Sequence, residues 1–203
     1  MDEDLVNNHK RYSERLVLFK SFGYDVEWER EFIINQARPL HGKILEAGTG
    51  KGYFALALAN AGYSFVTFDI SAEEQNFAKL NLAYYGFNNL ADFRIENAEC
   101  TSFPDCSFDI IFSVNVLHHL QKPYQVVDDL LRILSPQGKL VLADFTEAGF
   151  RIIAEIHAGE GKKHEAGKVN LADVESYLLK KRFSVRRAAS VIQDVLVARK
   201  NIA

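Results

Sequence analysis

The sequence predicts an α/β fold. It is expected to be a doubly wound sheet of seven strands, mostly parallel, ending in an antiparallel hairpin and preceded by a helical cap. Three observations lead there. From about residue 43, short apolar and β-branched runs alternate with helix-length segments, the pattern of parallel strands joined by right-handed crossovers. The final stretch "FSVRRAASVIQDVLVARK" instead reads as two strands with a short link near Ser190 to Gln193, hence a hairpin. Before the first strand, residues 4–21 and 26–38 carry helical patterns. The expected division is a cap over residues 1–40 and a main domain over 41–203.

Each element has its own signal. Leu5, Leu16, Val17 and Phe19 stand among charges in the first helix, which "FGYD" breaks. Asp25 caps "VEWEREFIINQAR", which ends before Pro39. "KILEA" is a short apolar strand running into turn chemistry, and "YFALALANAG" is a helix stopped at Gly62. "SFVTFD" is a strand. Ser71 and Glu74 form a capping-box pattern opening "AEEQNFAKLNLAYYG". "ADFRIE" and "FDIIFSVN" are the next strands, the second strongly apolar. "PYQVVDDLLRIL" starts on proline, which suits a first helical turn. "GKLVLADF" is the fifth strand. Near-continuous apolar strands fit a sheet covered on both faces.

Composition excludes some functions. The chain has 203 residues, 48% hydrophobic and 25% charged, with a formal net charge of -3. That is a globular balance with nothing global to draw it to nucleic acid or an anionic membrane. The amino-terminal "MDEDLVNNHKRYSERL" is acidic and polar rather than a signal sequence, and no apolar run is long enough for a bilayer. Cys100 and Cys106 form no CxxC; thiols, buried or free, are expected. A cytoplasmic protein, monomeric or homodimeric, is the expectation.

The glycine loop after the first strand carries the chemistry. A P-loop requires Gly-x4-Gly-Lys-Ser/Thr. Counting back from Gly50-Lys51 puts Leu45 at the first glycine, and Gly52 stands where the hydroxyl belongs. A dinucleotide fingerprint requires GxGxxG, but Tyr53 fills the third glycine position. What stands here is Glu46-x-Gly48-x-Gly50-x-Gly52, with Asp69 closing the next strand.

This motif resembles the first motif of the class I S-adenosylmethionine-dependent methyltransferases. The resemblance continues through "IENAECTSFPDCSFDIIFSVNVLHHL", "LSPQGKLVLAD" and the terminal hairpin, from about Lys43 onward, and is closest to the small-molecule, type 11-like branch. It implies a Rossmann-like fold and S-adenosyl-L-methionine as cofactor. It implies cofactor contact by Glu46, Ala47, Gly48, Thr49, Gly50 and Gly52 around the methionine part. Bare glycine backbone permits that close approach, and amides opening the next helix favour a carboxylate. Asp69 is implied at the ribose, accepting from both hydroxyls, and Ile70 beside it as a further cofactor contact. Asn97 and Ala98 are implied at the adenine, and backbone near Asn115 at the methionine ammonium. Many relatives carry aspartate where Asn97 stands; an amide oxygen also accepts from an exocyclic amine.

The resemblance also places the loop with His118 and His119 beside the transferable methyl. Histidine accepts a proton from an oxygen or nitrogen nucleophile near neutral pH, so both are catalytic candidates. Lys51 is expected to face solvent. "HAGEGKKHEAGK", residues 157–168, is polar and glycine-rich. Residues 146–170 are therefore expected to form a weakly packed, mobile wall over the acceptor, with His157 and His164 as substrate-binding candidates. A metal at His157, Glu160, His164 and Glu165 is the less favoured reading, and no metal site is assigned. The cations of "LLKKRFSVRR" are expected to end a helix. The expected activity is methyl transfer to a small molecule, with no nucleic acid partner. RNA or protein methylation, or cofactor binding without catalysis, are the alternatives.

Overall fold

The computed structural model describes residues 3–161, 167 and 169–201. Two helices, α1 (Glu3–Ser21) and α2 (Val26–Ala37), precede the first strand. The Asp25 side chain accepts from the Trp28 amide at 3.2 Å and so caps α2. Strand β1 (Ile44–Ala47) leads through the glycine loop into α3 (Tyr53–Asn60). Then come β2 (Phe65–Asp69), α4 (Ala72–Tyr84), β3 (Ala91–Ile95) and β4 (Phe108–Val114). A single 3₁₀ turn (Leu117–His119) precedes α5 (Pro123–Ile133), β5 (Leu134–Phe145), α6 (Glu147–Gly159) and α7 (Leu171–Lys180). The hairpin β6 (Phe183–Ala189) and β7 (Gln193–Lys200) follows.

The strands form one seven-stranded sheet in the order β3-β2-β1-β4-β5-β7-β6. Strands β1 to β5 pair in parallel; β7 runs antiparallel to both β5 and β6. Side-chain alternation divides the core into two layers. Ile44, Phe112, Val141 and Val195 face the layer that holds α3 and part of the cap. Leu45, Ile111, Leu140 and Leu196 face the layer that holds α5 and α7. Strand order reverses between β1 and β4, and open α/β sheets bind ligands at that point, beyond the carboxyl ends of the strands.

β5 starts earlier than the sequence suggests. It continues straight from α5, and its register shifts so that Phe108 faces Leu134 while Ile110 faces Lys139. The extra residues around Pro136 are absorbed there as an irregularity. The expected mobile wall is also corrected in part. Residues 147–159 are a helix, with Ile153 and Ile156 buried against Phe19, Tyr24 and Val26. Thr146 caps it through the Gly149 amide. The apolar residues of "GFRIIAEIH" recur at helical spacing, and residues 162–166 and 168 lie outside the described residues.

The cap is tied to the sheet by a buried cation. Lys139 of β5 donates from Nζ to the carbonyls of Ala37 (2.6 Å) and Pro39 (2.5 Å), at the end of α2. Burial, with repulsion from Arg199 and Arg186, pushes its ammonium below the usual lysine range. A cation there satisfies helix-end carbonyls and complements the dipole. Lys139→Met is expected to cost about 1–3 kcal/mol, because it leaves these acceptors buried and unmatched. Urea unfolding checks this; an unchanged midpoint would show that the carbonyls find other partners.

Candidate active site

A cavity of about 650 Å³ opens at the reversal between β1 and β4. It is lined by the glycine loop, the ends of β2 and β4, the segment after β3, and Arg30 of α2. Glycine is required at two of the loop positions. Gly48 has φ 92°, and a Cβ there would run into the Val116 side chain. Gly52 has φ 82°, and a Cβ would come within 2.6 Å of the Ala78 Cβ on α4. The loop thus packs against the β4 loop on one side and α4 on the other.

Glu46 is the centre of the site. It is 1% exposed and accepts from Thr67 Oγ1 at 2.5 Å. The Thr67 hydroxyl lies 2.6 Å from that of Thr49, and Gln75 donates to Thr49 Oγ1 at 3.2 Å and to the Arg94 carbonyl at 2.7 Å. Since Thr67 gives its proton to Glu46, Thr49 donates to Thr67 in turn, and every dipole in the row points toward the carboxylate. Among the described residues the other carboxylate oxygen, Oε1, is buried and makes no hydrogen bond of good geometry, with the Ala55 amide of α3 the backbone donor near the carboxyl. Burial raises the Glu46 carboxyl to about 8, opposed by the Thr67 hydrogen bond and by Arg30, and assisted by Asp69.

Arg30 enters from the cap. It is 6% exposed, and its Nε also lacks a partner. With the Asn115 amide oriented so that its oxygen faces Arg30 and its nitrogen faces Gln193, both contacts are 2.9 Å. Asn115 itself has φ 57° and donates its amide to Ala143. The helical spacing of Arg30 from Val26, Ile33 and Ile34 puts it on the buried stripe of α2. A charge on an apolar stripe was the available sequence signal for it.

The remaining expected residues fall as follows. Asp69 accepts from the amides of Gly50 (2.8 Å) and Ser71 (2.9 Å), so each oxygen has one partner and capacity for more. The amides of Gly48, Thr49, Gly50 and Gly52 are all engaged inside the protein, the first two with the Phe68 carbonyl. The glycine-loop amides are thus spent inside the protein, and the cation beside the loop is Arg30. Ala47, Ile70, Asn97 and Ala98 line the cavity, and Ile70 is 72% exposed. The Asn97 side-chain oxygen accepts from the Glu99 amide at 2.9 Å, which fixes the side chain in a local turn. Arg132 of α5 holds the following segment through the carbonyls of Phe103 and Thr101.

His118 and His119 stand with rings 4.0 Å apart. His119 lines the cavity; His118 is buried behind it, against Phe145 and Phe150. Asp144, at the end of β5, holds His118 twice: Oδ1 lies 2.6 Å from Nδ1, and Oδ2 accepts the His118 amide at 3.1 Å. Asp144 was missed from the sequence, although an acid closing an apolar strand at the ligand edge is a readable signal. His157 occupies the last turn of α6 and lines a neighbouring cavity. Glu160 pairs with Arg15. His164 lies outside the described residues. The basic cluster near the end is tied up structurally: Lys181 pairs with Asp128, and Arg187 with Glu175 and Asp194.

Residues 45–142 match a family profile described as a methyltransferase domain. The chain is 29% identical over 157 residues to the 27-O-demethylrifamycin SV methyltransferase of Amycolatopsis mediterranei, covering 74% of this chain and 57% of that protein. It is 26% identical over 140 residues to a ubiquinone/menaquinone biosynthesis C-methyltransferase of Geotalea daltonii, covering 68% and 60%. The chain thus spans somewhat over half the length of these curated relatives. A SAM-dependent methyltransferase from Methanosarcina mazei superposes with a TM-score of 0.66 at 23% identity, covering 84% of this chain and 98% of that one.

The buried carboxyl predicts a pH dependence of the ligand-free protein. In the unfolded chain Glu46 titrates near ~4.3; folded, it titrates at about 8. Between those values the folded state keeps a proton that the unfolded state has lost. Stability from this group therefore falls as pH rises through that window and is flat above it. Glu46→Gln should flatten the decline in urea unfolding between pH 5 and pH 8. Parallel profiles for the two proteins would mean that Glu46 is ionised throughout.

Proposed function

We propose, from the match of residues 45–142 to a methyltransferase domain profile, that the protein binds S-adenosyl-L-methionine and methylates a small-molecule acceptor. The observation that carries this is the cavity at the strand reversal, lined by both Glu46 and Arg30, whose Oε1 and Nε make no hydrogen bond among the described residues. A buried acceptor and a buried cation without full partners suit the ammonium and carboxylate of an amino acid. The exposed Ile70 offers an apolar surface to a purine, and Asp69 has lone pairs for vicinal hydroxyls. Ala47, Gly48, Thr49, Gly50 and Gly52 form the wall, with Asn97, Ala98 and Asn115 opposite.

When bound, this cofactor supplies a methyl group made electrophilic by a sulfonium. The chain's part is to align, enclose and deprotonate. Alignment and exclusion of water are the main contributions expected in such a displacement. Residues 1–40 act as the cap that encloses the site, with Arg30 reaching in from α2. Asp144 lies 2.6 Å from His118 Nδ1 and orients that buried ring behind His119, and His119, which faces the cavity, takes the acceptor's proton where the acceptor is protonated. His119 lines the pocket on the same side. His157 is read as an acceptor contact. Among the described residues no group of three His, Cys, Asp or Glu side chains is placed to hold a metal ion, and no helix is long and apolar enough to cross a membrane. The reading includes a cytoplasmic protein, monomeric or homodimeric, that does not act on nucleic acid.

S-adenosylhomocysteine should raise the melting temperature, because it binds only the folded state, and NAD should not. Asp69→Ala should weaken S-adenosylhomocysteine by about 1–3 kcal/mol, through lost hydrogen bonds to a charged acceptor. Calorimetry that finds NAD binding and none of S-adenosylhomocysteine would reject the reading.

A further inference from the structure

A second cavity, of about 440 Å³, adjoins the first. Lys51 and Tyr53 line both, so the two are separated by one side-chain wall. Its other walls come from α1, α4 and the end of α6. The volume lies in the range of small-molecule sites, which run to about 300–1,000 Å³. Resting on the reading above, we infer that this cavity holds the acceptor, and that the acceptor carries an anionic group, a carboxylate or a phosphate, on an aromatic or apolar body.

Charge is the first argument. The cavity is lined by Arg11, Arg15, Lys51 and His157, against one acid, Glu160. Glu160 pairs with Arg15. Among the described residues neither Arg11 nor Lys51 has an ion-pair partner. Two uncompensated cations therefore converge on a concave surface, where the local field is focused rather than dispersed into solvent. The chain as a whole has a net charge of -3, so this patch runs against the protein's overall sign.

The second argument is the wall material. Tyr12, Phe19, Tyr53 and Phe77 line the cavity. The Arg15 guanidinium lies 4.6 Å from the Phe19 ring centre, and the Lys51 ammonium 5.9 Å from that of Phe77, so both cations are placed over aromatic faces. Tyr53 lies 5.3 Å from Tyr12 and 6.2 Å from Phe19, ring centre to ring centre. The third argument is rigidity. Asn8 of α1 donates to Asn81 of α4 at 2.8 Å, and Asn81 donates to the Lys51 carbonyl at 3.0 Å. This buried chain fixes the cap, α4 and the glycine loop relative to one another, so the cations stand in a preorganised frame.

The test uses the full chain saturated with S-adenosylhomocysteine. Benzoate, 4-hydroxybenzoate and phenyl phosphate are titrated by calorimetry beside the neutral 4-hydroxybenzamide. At least one anionic probe should bind about tenfold more tightly than the amide. Carboxylate and phosphate are distinguished by which probe leads. Arg11→Gln should reduce that preference several-fold, Arg11→Lys should restore much of it, and added salt should weaken it. S-adenosylhomocysteine affinity should be unchanged in both variants. Equal binding of neutral and anionic probes, no binding of any anionic probe, or a preference that survives Arg11→Gln overturns the inference. Failure of S-adenosylhomocysteine to bind the unaltered chain would instead overturn the cofactor reading.

Discussion

A carboxyl group buried where the strand order reverses sets the terms for the surrounding structure. Glu46 lies at the end of the central strand, 1% exposed, and an ionised carboxylate there is costly unless it is compensated. The fold meets part of that demand with the row Thr67, Thr49 and Gln75, which runs from β2 through the glycine loop to α4 and ends on the Arg94 carbonyl of β3. One polar network thus fixes the register of three strands, the path of the loop and the seating of a helix. It leaves one oxygen of Glu46 unmatched. A site that is complete except for one charged partner is preorganised for a cation, and its unmet demand is the source of binding energy.

The cap supplies what the sheet lacks. The carboxyl edge of a parallel sheet is open to water, and the proposed methyl transfer would profit from its exclusion. Helices α1, α2 and α6 close on one another through Phe19, Tyr24, Val26, Ile153 and Ile156. Lys139 anchors the end of α2 to β5, and Arg30 is carried to within reach of Asn115. Tyr53 then lines both the cavity at the strand reversal and the outer one. The cap is therefore continuous with the core chemistry: the same helix that buries Ile33 and Ile34 delivers a guanidinium to the site.

Much of the fold was legible because its signals are local. Alternation of apolar runs with helix-length segments marked five strands and the terminal hairpin pattern the other two, and the Ser71 and Asp25 caps are made as their residue types require. The glycine loop was legible because Gly48 and Gly52 occupy positions where a side chain would collide. What was missed depends on long-range contact. Asp144 is 26 residues from His118, and Arg30 meets Asn115 across 85 positions of chain; no local pattern encodes either pair. Helix α6 was missed for a different reason. Its apolar period sits just before a polar, glycine-rich run, and the run dominated the reading of the whole segment. The internal use of the glycine-loop amides, by the Phe68 carbonyl and Asp69, is likewise a contact across the sheet that the motif does not encode.

The central claim is that the unmatched oxygen of Glu46 receives the cofactor's ammonium. It is tested most directly by proton release on binding. S-adenosylhomocysteine is titrated by calorimetry at pH 7 in buffers of differing ionisation enthalpy. A carboxyl raised to about 8 is mostly protonated at that pH, and an adjacent ammonium drives it to ionise. The native chain should then release about one proton per ligand bound, and Glu46→Gln none. Binding without proton release in the native chain, or equal release in both proteins, would contradict the account.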